Sequence, residues 1–398
     1  MCKRILALAL CLIMLFSFAA CKGGDEPAAT TGAETTAAAT TTAATTGGDE
    51  ANGQTPTKPT DPVEYLATVD YNTFELTGDS KPYFMGRWFE KEIDGVSHMV
   101  TVTDGSLFYF MIDGATSFDL DFTVITEKET PYFAYSIDGG TPVRQLITNK
   151  TVELPDTTLH TVRIIADCMS QKENKWEGEK GFAFKGVTAS EGGTIYGIKP
   201  KDKIIFYYGD SITEGINALG DGVKFNSATN SYSWLCSEAL GAVHYSVGYS
   251  GTGITNGIAE GKSFDNFTSA IDHLSKDRLV SDGIKPDVIV INHGCNDSTI
   301  STPTAQFQTK LLEGIEKLKT MYPGVPIYYV VPFDQKWAIP LGIIFKNDET
   351  VTVIQTKNWA TDDMYTDDNG HPSAEGAKIL ADKLAAALKE QLGADFFD

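Results

Sequence analysis

The block Tyr208-Gly209-Asp210-Ser211-Ile212-Thr213-Glu214-Gly215 follows directly on an apolar run over 204–208. A short apolar run without alternation reads as a buried strand, so Ser211 stands where a strand hands over to a helix. A serine at such a junction can reach a ligand, and its backbone N–H points at the same spot as a helix-start donor. It can equally be no more than the N-cap of the next helix. Three later blocks bear on that choice. Ser246-Val247-Gly248-Tyr249-Ser250-Gly251-Thr252-Gly253 follows a second apolar run. Glycine lets backbone approach a ligand closely, so Gly251 can present its N–H to an oxyanion, or simply turn the chain. Ile291-Asn292-His293-Gly294-Cys295-Asn296-Asp297 follows a third run. An asparagine there offers an amide donor that is neutral at any pH, or stabilises its own loop, with Asp297 as a brace. Asp367-Asp368-Asn369-Gly370-His371-Pro372 precedes the last helical segment. Acyl transfer from serine needs a base of near-neutral pKa, usually histidine. Asp368, three residues before His371, can fold back to fix its tautomer and stabilise the imidazolium. This chemistry needs no cofactor.

The elements that must hold these blocks fall into two parts. From 201 to 398, apolar runs at 204–208, 243–247, 288–291 and 327–331 alternate with helical segments. Phe307, Leu311, Ile315 and Leu318 share one helical face, after a start at Thr302-Pro303, and Ala377, Leu380, Ala381, Leu384 and Leu388 share another. Strand–helix alternation predicts a three-layer α/β/α domain with a parallel sheet, whose ligands bind at the strands' C-terminal ends. From 62 to 200 the pattern is short β runs, at 99–103, 107–112, 118–125, 132–137 and 161–165. Asp-Gly pairs punctuate them at Asp94-Gly95, Asp104-Gly105, Asp113-Gly114 and Asp138-Gly139. Asp-Gly supplies the positive φ angles of tight turns, and an antiparallel β-sandwich of jelly-roll kind is expected.

Ahead of both parts lie 61 residues that build no core. Lys3 and Arg4 precede an apolar run over 5–20, too short for a comfortable membrane span, which ends Phe18-Ala19-Ala20-Cys21. Residues 1–21 thus resemble a lipoprotein signal with Cys21 as the lipidated residue, although Phe18 departs from the usual aliphatic. The other reading is an ordinary secretory signal with an incidental cysteine. Either exports the protein, and a single lipidated cysteine anchors without spanning. Residues 22–61 are Thr, Ala, Gly and Pro with a few acids, the composition of a disordered tether. The expected location is extracellular, lipid-anchored to the bacterial cell membrane.

The formal charge is −21, and loss of Lys3 and Arg4 with the signal takes it to −23. So negative a chain disfavours nucleic acid and anionic surfaces as partners, leaves the lipid anchor as the expected membrane contact, and suits a neutral substrate. Of six cysteines, only Cys168, Cys236 and Cys295 fall in the folded parts, which implies no disulfide framework. There is no CxxC or HExxH pattern and the six histidines are scattered, so no metal site is expected.

The four blocks, in this order and each at a strand's end, resemble the SGNH (GDSL-type) hydrolase superfamily, over about residues 203 to 392. The resemblance rests on Gly209-Asp210-Ser211, on Gly251, on Gly294-Cys295-Asn296-Asp297 and on Asp368-Asn369-Gly370-His371-Pro372. It implies Ser211 as nucleophile, His371 as base and Asp368 as its orienter. The implied oxyanion hole is the N–H groups of Ser211 and Gly251 with the Asn296 side chain. A β-sandwich ahead of this domain resembles carbohydrate esterase family two, which removes acetyl groups from polysaccharides such as xylan and glucomannan. Segments 159–163 and 182–186 resemble late strands of that family's first domain. Asn369-Gly370 stands where a larger residue, often tryptophan, is common in that family, and some members lack an acidic partner such as Asp368.

Trp337, after Pro332-Phe333-Asp334, and Trp359, on the approach to His371, can offer faces to a sugar ring or pack under long loops. Trp88, Trp176 and Trp234 look like core or sandwich-surface residues. The loop over 217–230, rich in Gly, Asn and Ser, borders the nucleophile, and Cys295 reads as a packing thiol. The resulting expectation is an extracellular acetyl esterase acting on acetylated polysaccharide or oligosaccharide. Its rivals are a lipase or thioesterase on the same fold, a sugar acetyltransferase, and a glycan-binding lipoprotein with little activity.

Overall fold

Burial of both faces of one strand explains much of the architecture. In the computed structural model, which describes residues 74–77, 79–256, 264–366 and 370–397, the strand Leu107–Asp113 is buried at every position. Its Phe108, Phe110 and Ile112 face a sandwich core with Phe118, Phe122, Phe133, Phe182 and Phe184. Its Leu107, Tyr109 and Met111 face the other way, into a core shared with Phe206 and Val243 of the parallel sheet and Trp234 of a helix of the C-terminal half. The outer face of the larger sandwich sheet is therefore covered by the C-terminal half, and all described residues belong to one compact unit, Gln54–Asp398. The signal segment, Cys21 and the 22–61 tether lie outside the described residues, as does Asp368.

The sandwich has a seven-stranded and a five-stranded antiparallel sheet. The strand Ser117–Val124 buries Phe118, Leu120 and Phe122 in alternation, the period-two signature of a strand with one wet face. Two of the four Asp-Gly pairs make hairpin turns. Asp94-Gly95 joins the paired strands Trp88–Ile93 and Val96–Thr101, and Asp138-Gly139 joins Tyr132–Ile137 to Val143–Leu146, with positive φ at both residues of each pair. Asp104-Gly105 and Asp113-Gly114 instead carry the chain from one sheet to the other.

The C-terminal half holds five parallel strands in the order Val243–Gly248, Ile204–Gly209, Val288–Asn292, Ile327–Val330, Val351–Ile354. The helices Phe267–Asp272 and Thr304–Met321 cover one face through Phe267, Phe307, Leu311, Ile315 and Leu318. The helices Tyr232–Leu240 and Ala374–Leu392 cover the other through Tyr232, Cys236, Leu380, Leu384 and Leu388. This is the three-layer α/β/α arrangement. The first strand lies between its two successors, so the order reverses beside its C-terminal end, where open α/β sheets bind ligands. Among the described residues no helix is long and apolar enough to cross a membrane.

Candidate active site

The strand Ile204–Gly209 delivers Ser211 to that reversal point. Gly209 is required there: a Cβ would come 1.9 Å from Thr213 Oγ1, so the four-residue helix Ser211–Glu214 could not turn back over the strand end. Asp210, not Ser211, caps this helix, its Oδ1 accepting the Ile212 N–H at 3.1 Å. The Ser211 hydroxyl is thereby released from the capping role that the sequence also allowed. It meets His371 Nε2 at 2.8 Å. Asp210 itself is buried, which pushes its carboxyl up to about 7, with Asp297 and Asp334 adding to the shift.

His371 is held by its backbone. Its carbonyl accepts the Thr366 N–H at 2.9 Å and the Thr366 hydroxyl at 3.1 Å, and Pro372 bridges Tyr365 in antiparallel register. Ser373 then caps the helix Ala374–Leu392 by accepting the Gly376 N–H. Asp368 lies outside the described residues, so the expected pairing with His371 is not described.

The loop after Val243–Gly248 is bonded residue by residue. Tyr249 N–H donates to Gly209 O at 3.2 Å, Ser250 N–H to Glu214 Oε2 at 2.6 Å, and Thr252 N–H to Tyr249 O at 3.1 Å. Asp297, fully buried, accepts the N–H groups of Ile254 at 2.7 Å and Thr255 at 3.0 Å, so it braces this loop and not, as the sequence suggested, its own. Among the described residues the N–H of Gly251 meets no acceptor, and the residue sits at φ 74°, a conformation natural to glycine.

Two asparagines divide the third block between them. Asn292 donates to Val330 O at 3.1 Å and braces the sheet. Asn296, on the short helix Cys295–Thr299, is buried, donates to Thr252 O at 2.9 Å, and lies 3.5 Å from Asp210 Oδ2. The structure thus brings His371, from the loop before the last helix, onto Ser211 at the end of one parallel strand, while Asn296 and Gly251 follow the ends of the two strands that flank it. A hydroxyl beside a ring nitrogen, flanked by an uncommitted backbone N–H and a side-chain amide, can form an acyl-serine and hold the oxyanion that precedes it. Burial pushes the Cys295 thiol well up, which suits packing and not nucleophilic attack.

Trp337 is corrected. It is 5 % exposed, its ring is stacked on Phe307 at 3.7 Å and its indole N–H donates to Gly294 O at 2.8 Å. Neither ring face nor donor is open to a sugar. Trp359 is half-buried against the core under the C-terminal helix, and Lys383 Nζ donates to its carbonyl at 2.7 Å. Sequence reasoning missed Glu214 as the anchor of Ser250, although it stands inside the nucleophile's own block.

Residues 207–379 match the model of the GDSL-like Lipase/Acylhydrolase family. No curated protein matches the chain in sequence. Among solved structures it is similar to a family two carbohydrate esterase from Clostridium thermocellum in complex with cellohexaose, at 19 % identity and TM-score 0.63 over 78 % of this chain and 99 % of that one. It is similar to an acetyl xylan esterase from the rumen bacterium Butyrivibrio proteoclasticus, at 17 % identity and TM-score 0.61 over 84 % and 98 %. It is likewise similar to a family two carbohydrate esterase from Cellvibrio japonicus, at 20 % identity and TM-score 0.62 over 80 % and 97 %. At these identities the likeness is one of fold, and it covers the sandwich as well as the catalytic half. The family match falls in the C-terminal half, and the chain as a whole shares the two-domain fold of these carbohydrate esterases.

Proposed function

We propose that this SGNH hydrolase with a leading β-sandwich is a serine esterase that removes acetyl groups from a neutral plant polysaccharide, xylan or glucomannan. The observation that carries the reading is the 2.8 Å contact between His371 Nε2 and Ser211 Oγ. His371 takes the Ser211 proton as Oγ attacks the acetyl carbonyl carbon. The tetrahedral oxyanion is held by the N–H groups of Ser211 and Gly251 and the Asn296 amide. The bond to the sugar oxygen breaks, and His371 returns the proton to that oxygen, leaving acetyl-Ser211. Water then gives a proton to His371, attacks the acyl carbon and releases acetate, and Ser211 recovers its proton. Asp368 orients His371 in this scheme.

The carbohydrate reading is supported by the two-domain fold shared with carbohydrate esterases and by the strong negative charge, which suits an uncharged polymer. Export and lipidation at Cys21 complete it, placing the enzyme on the outer surface of a bacterial cell where polymer is met. Loss of fatty-acid labelling in Cys21→Ala tests the anchor. The activity is tested by acetate release from acetylated glucomannan and acetylated xylan, with Ser211→Ala alongside. Release by the unmutated protein alone supports the reading, and the faster polymer names the substrate. Full release by Ser211→Ala rules it out. Cleavage of aryl acetates without release from either polymer keeps the serine chemistry and moves the substrate to other acyl esters.

A further inference from the structure

Glu214 ends the nucleophile's helix, and its side chain is fully buried. One carboxylate oxygen, Oε2, accepts the Ser250 N–H at 2.6 Å. The other, Oε1, takes the ammonium of Lys175. Lys175 belongs to the sandwich half, on the short helix Lys175–Gly178, and is also fully buried. Asp104, in a sheet-crossing turn of the sandwich, lies 3.6 Å from the same ammonium. A second tie joins sandwich to loop beside the first, between Thr103 Oγ1 and Tyr249 Oη at 2.7 Å. Residues 249 and 250, immediately before Gly251, are therefore both fastened to the N-terminal half, one directly and one through Glu214.

A buried ion pair is poorly explained by stability. Desolvating two charges costs several kcal/mol each, and apolar side chains of similar volume often serve the fold as well or better. Burial works against the Lys175 charge, yet Glu214 and then Asp104 hold its pKa above the ordinary lysine value. What a carboxylate does here that leucine cannot is accept the Ser250 N–H and so fix the rotation of the following peptide. An oxyanion donor must stay within about 0.5 Å of its productive position.

We infer that Lys175 and Glu214 are positioning residues for the acyl transfer: the sandwich sets the oxyanion loop through a Lys175–Glu214–Ser250 chain. This rests on the reading of Gly251 as an oxyanion donor. On this account the sandwich is part of the catalytic apparatus, whatever else it binds.

Two double substitutions in the full chain test it, because both remove the Lys175–Glu214 pair and leave Asp104 the same in each. K175M/E214Q keeps an acceptor for the Ser250 N–H, and K175M/E214L does not. With an aryl acetate as probe, kcat of the leucine variant is expected at least about tenfold below that of the glutamine variant, with KM unchanged and similar melting temperatures. Equal kcat in two folded variants overturns the inference while leaving Ser211 and His371 intact as a reading. Full activity in Ser211→Ala would instead remove the reading on which it stands. If the leucine variant does not fold, the comparison passes to Lys175→Met against K175M/E214Q. There the second substitution is expected to recover at least about threefold in kcat, since it neutralises the carboxylate that Lys175 balanced at the loop but keeps the acceptor. No recovery overturns the inference.

Discussion

His371 Nε2 lies 2.8 Å from Ser211 Oγ across 160 residues of chain. The two side chains have no common element: one opens a four-residue helix after the first parallel strand, and the other sits in the loop before the last helix. Their meeting is a property of the assembled sheet and its covering helices. His371→Ala is expected to lower kcat on an aryl acetate by about 100- to 10,000-fold, the usual share of a positioned base. The thermal midpoint should hardly move, because the loop is fastened by the His371 carbonyl, which alanine keeps. Stopped-time kinetics beside a thermal melt separate the two.

Asn296→Ala should remove one oxyanion donor and one tie to Thr252 O. A loss of about 100-fold in kcat with little change in KM is expected. An equal rise in KM with kcat intact would show that the amide serves substrate binding alone.

Trp337→Ala empties the space between Phe307 and Gly294. A destabilisation of about 3–5 kcal/mol by denaturant titration is expected, as for other large buried aromatics. The KM for acetylated polymer should not change. A KM increase in a variant of full stability would restore the sugar-platform role.

His244 and His293 are fully buried, and desolvation lowers both to about 3. Unfolding exposes them to water, where they bind protons near pH 6.5. The unfolded chain thus takes up more protons than the folded one between about pH 6.5 and 3. Their contribution to stability is complete above the upper limit and is lost as pH falls through the window, by up to about 1.4 kcal/mol per pH unit for each ring. Glutamine does not titrate, so His244→Gln should gain on the unmutated protein as pH is lowered across that range. Urea midpoints at several pH values check this, and a constant difference would contradict it.

Most of the fold was legible because burial wrote itself into composition. The runs at 204–208, 243–247, 288–291 and 327–331 are the parallel strands, and both helical faces named from spacing pack where expected. The fifth strand, Val351–Ile354, was not foreseen: it is four residues long, at the sheet edge, and half-buried at Thr352 and Val353. The meeting of Ser211 and His371 was legible for a related reason, since open α/β sheets gather ligand-binding groups at strand ends and those ends could be located. Trp337 could not be assigned, because an aromatic in a loop looks the same whether its partner is a sugar or Phe307. Lys175 carried no signal. In Lys-Trp-Glu-Gly it reads as a solvated residue, and its burial is accounted for by Glu214, 39 positions later, with Asp104 beside it. Pairings across domains leave no periodic trace in either partner.

Arg87 extends that dependence into the order of synthesis. It sits in the sandwich half, is 1 % exposed, and donates to His273 O at 2.7 Å and Ile271 O at 3.1 Å. Those carbonyls lie 184 and 186 residues downstream. At about 5–20 residues per second, the ribosome reaches them roughly ten to forty seconds after Arg87. For that interval the nascent sandwich holds a guanidinium whose acceptors do not yet exist, on a sheet face whose apolar cover is also still to be made. The N-terminal half must therefore wait, open on that side, until the chain that closes it has been made.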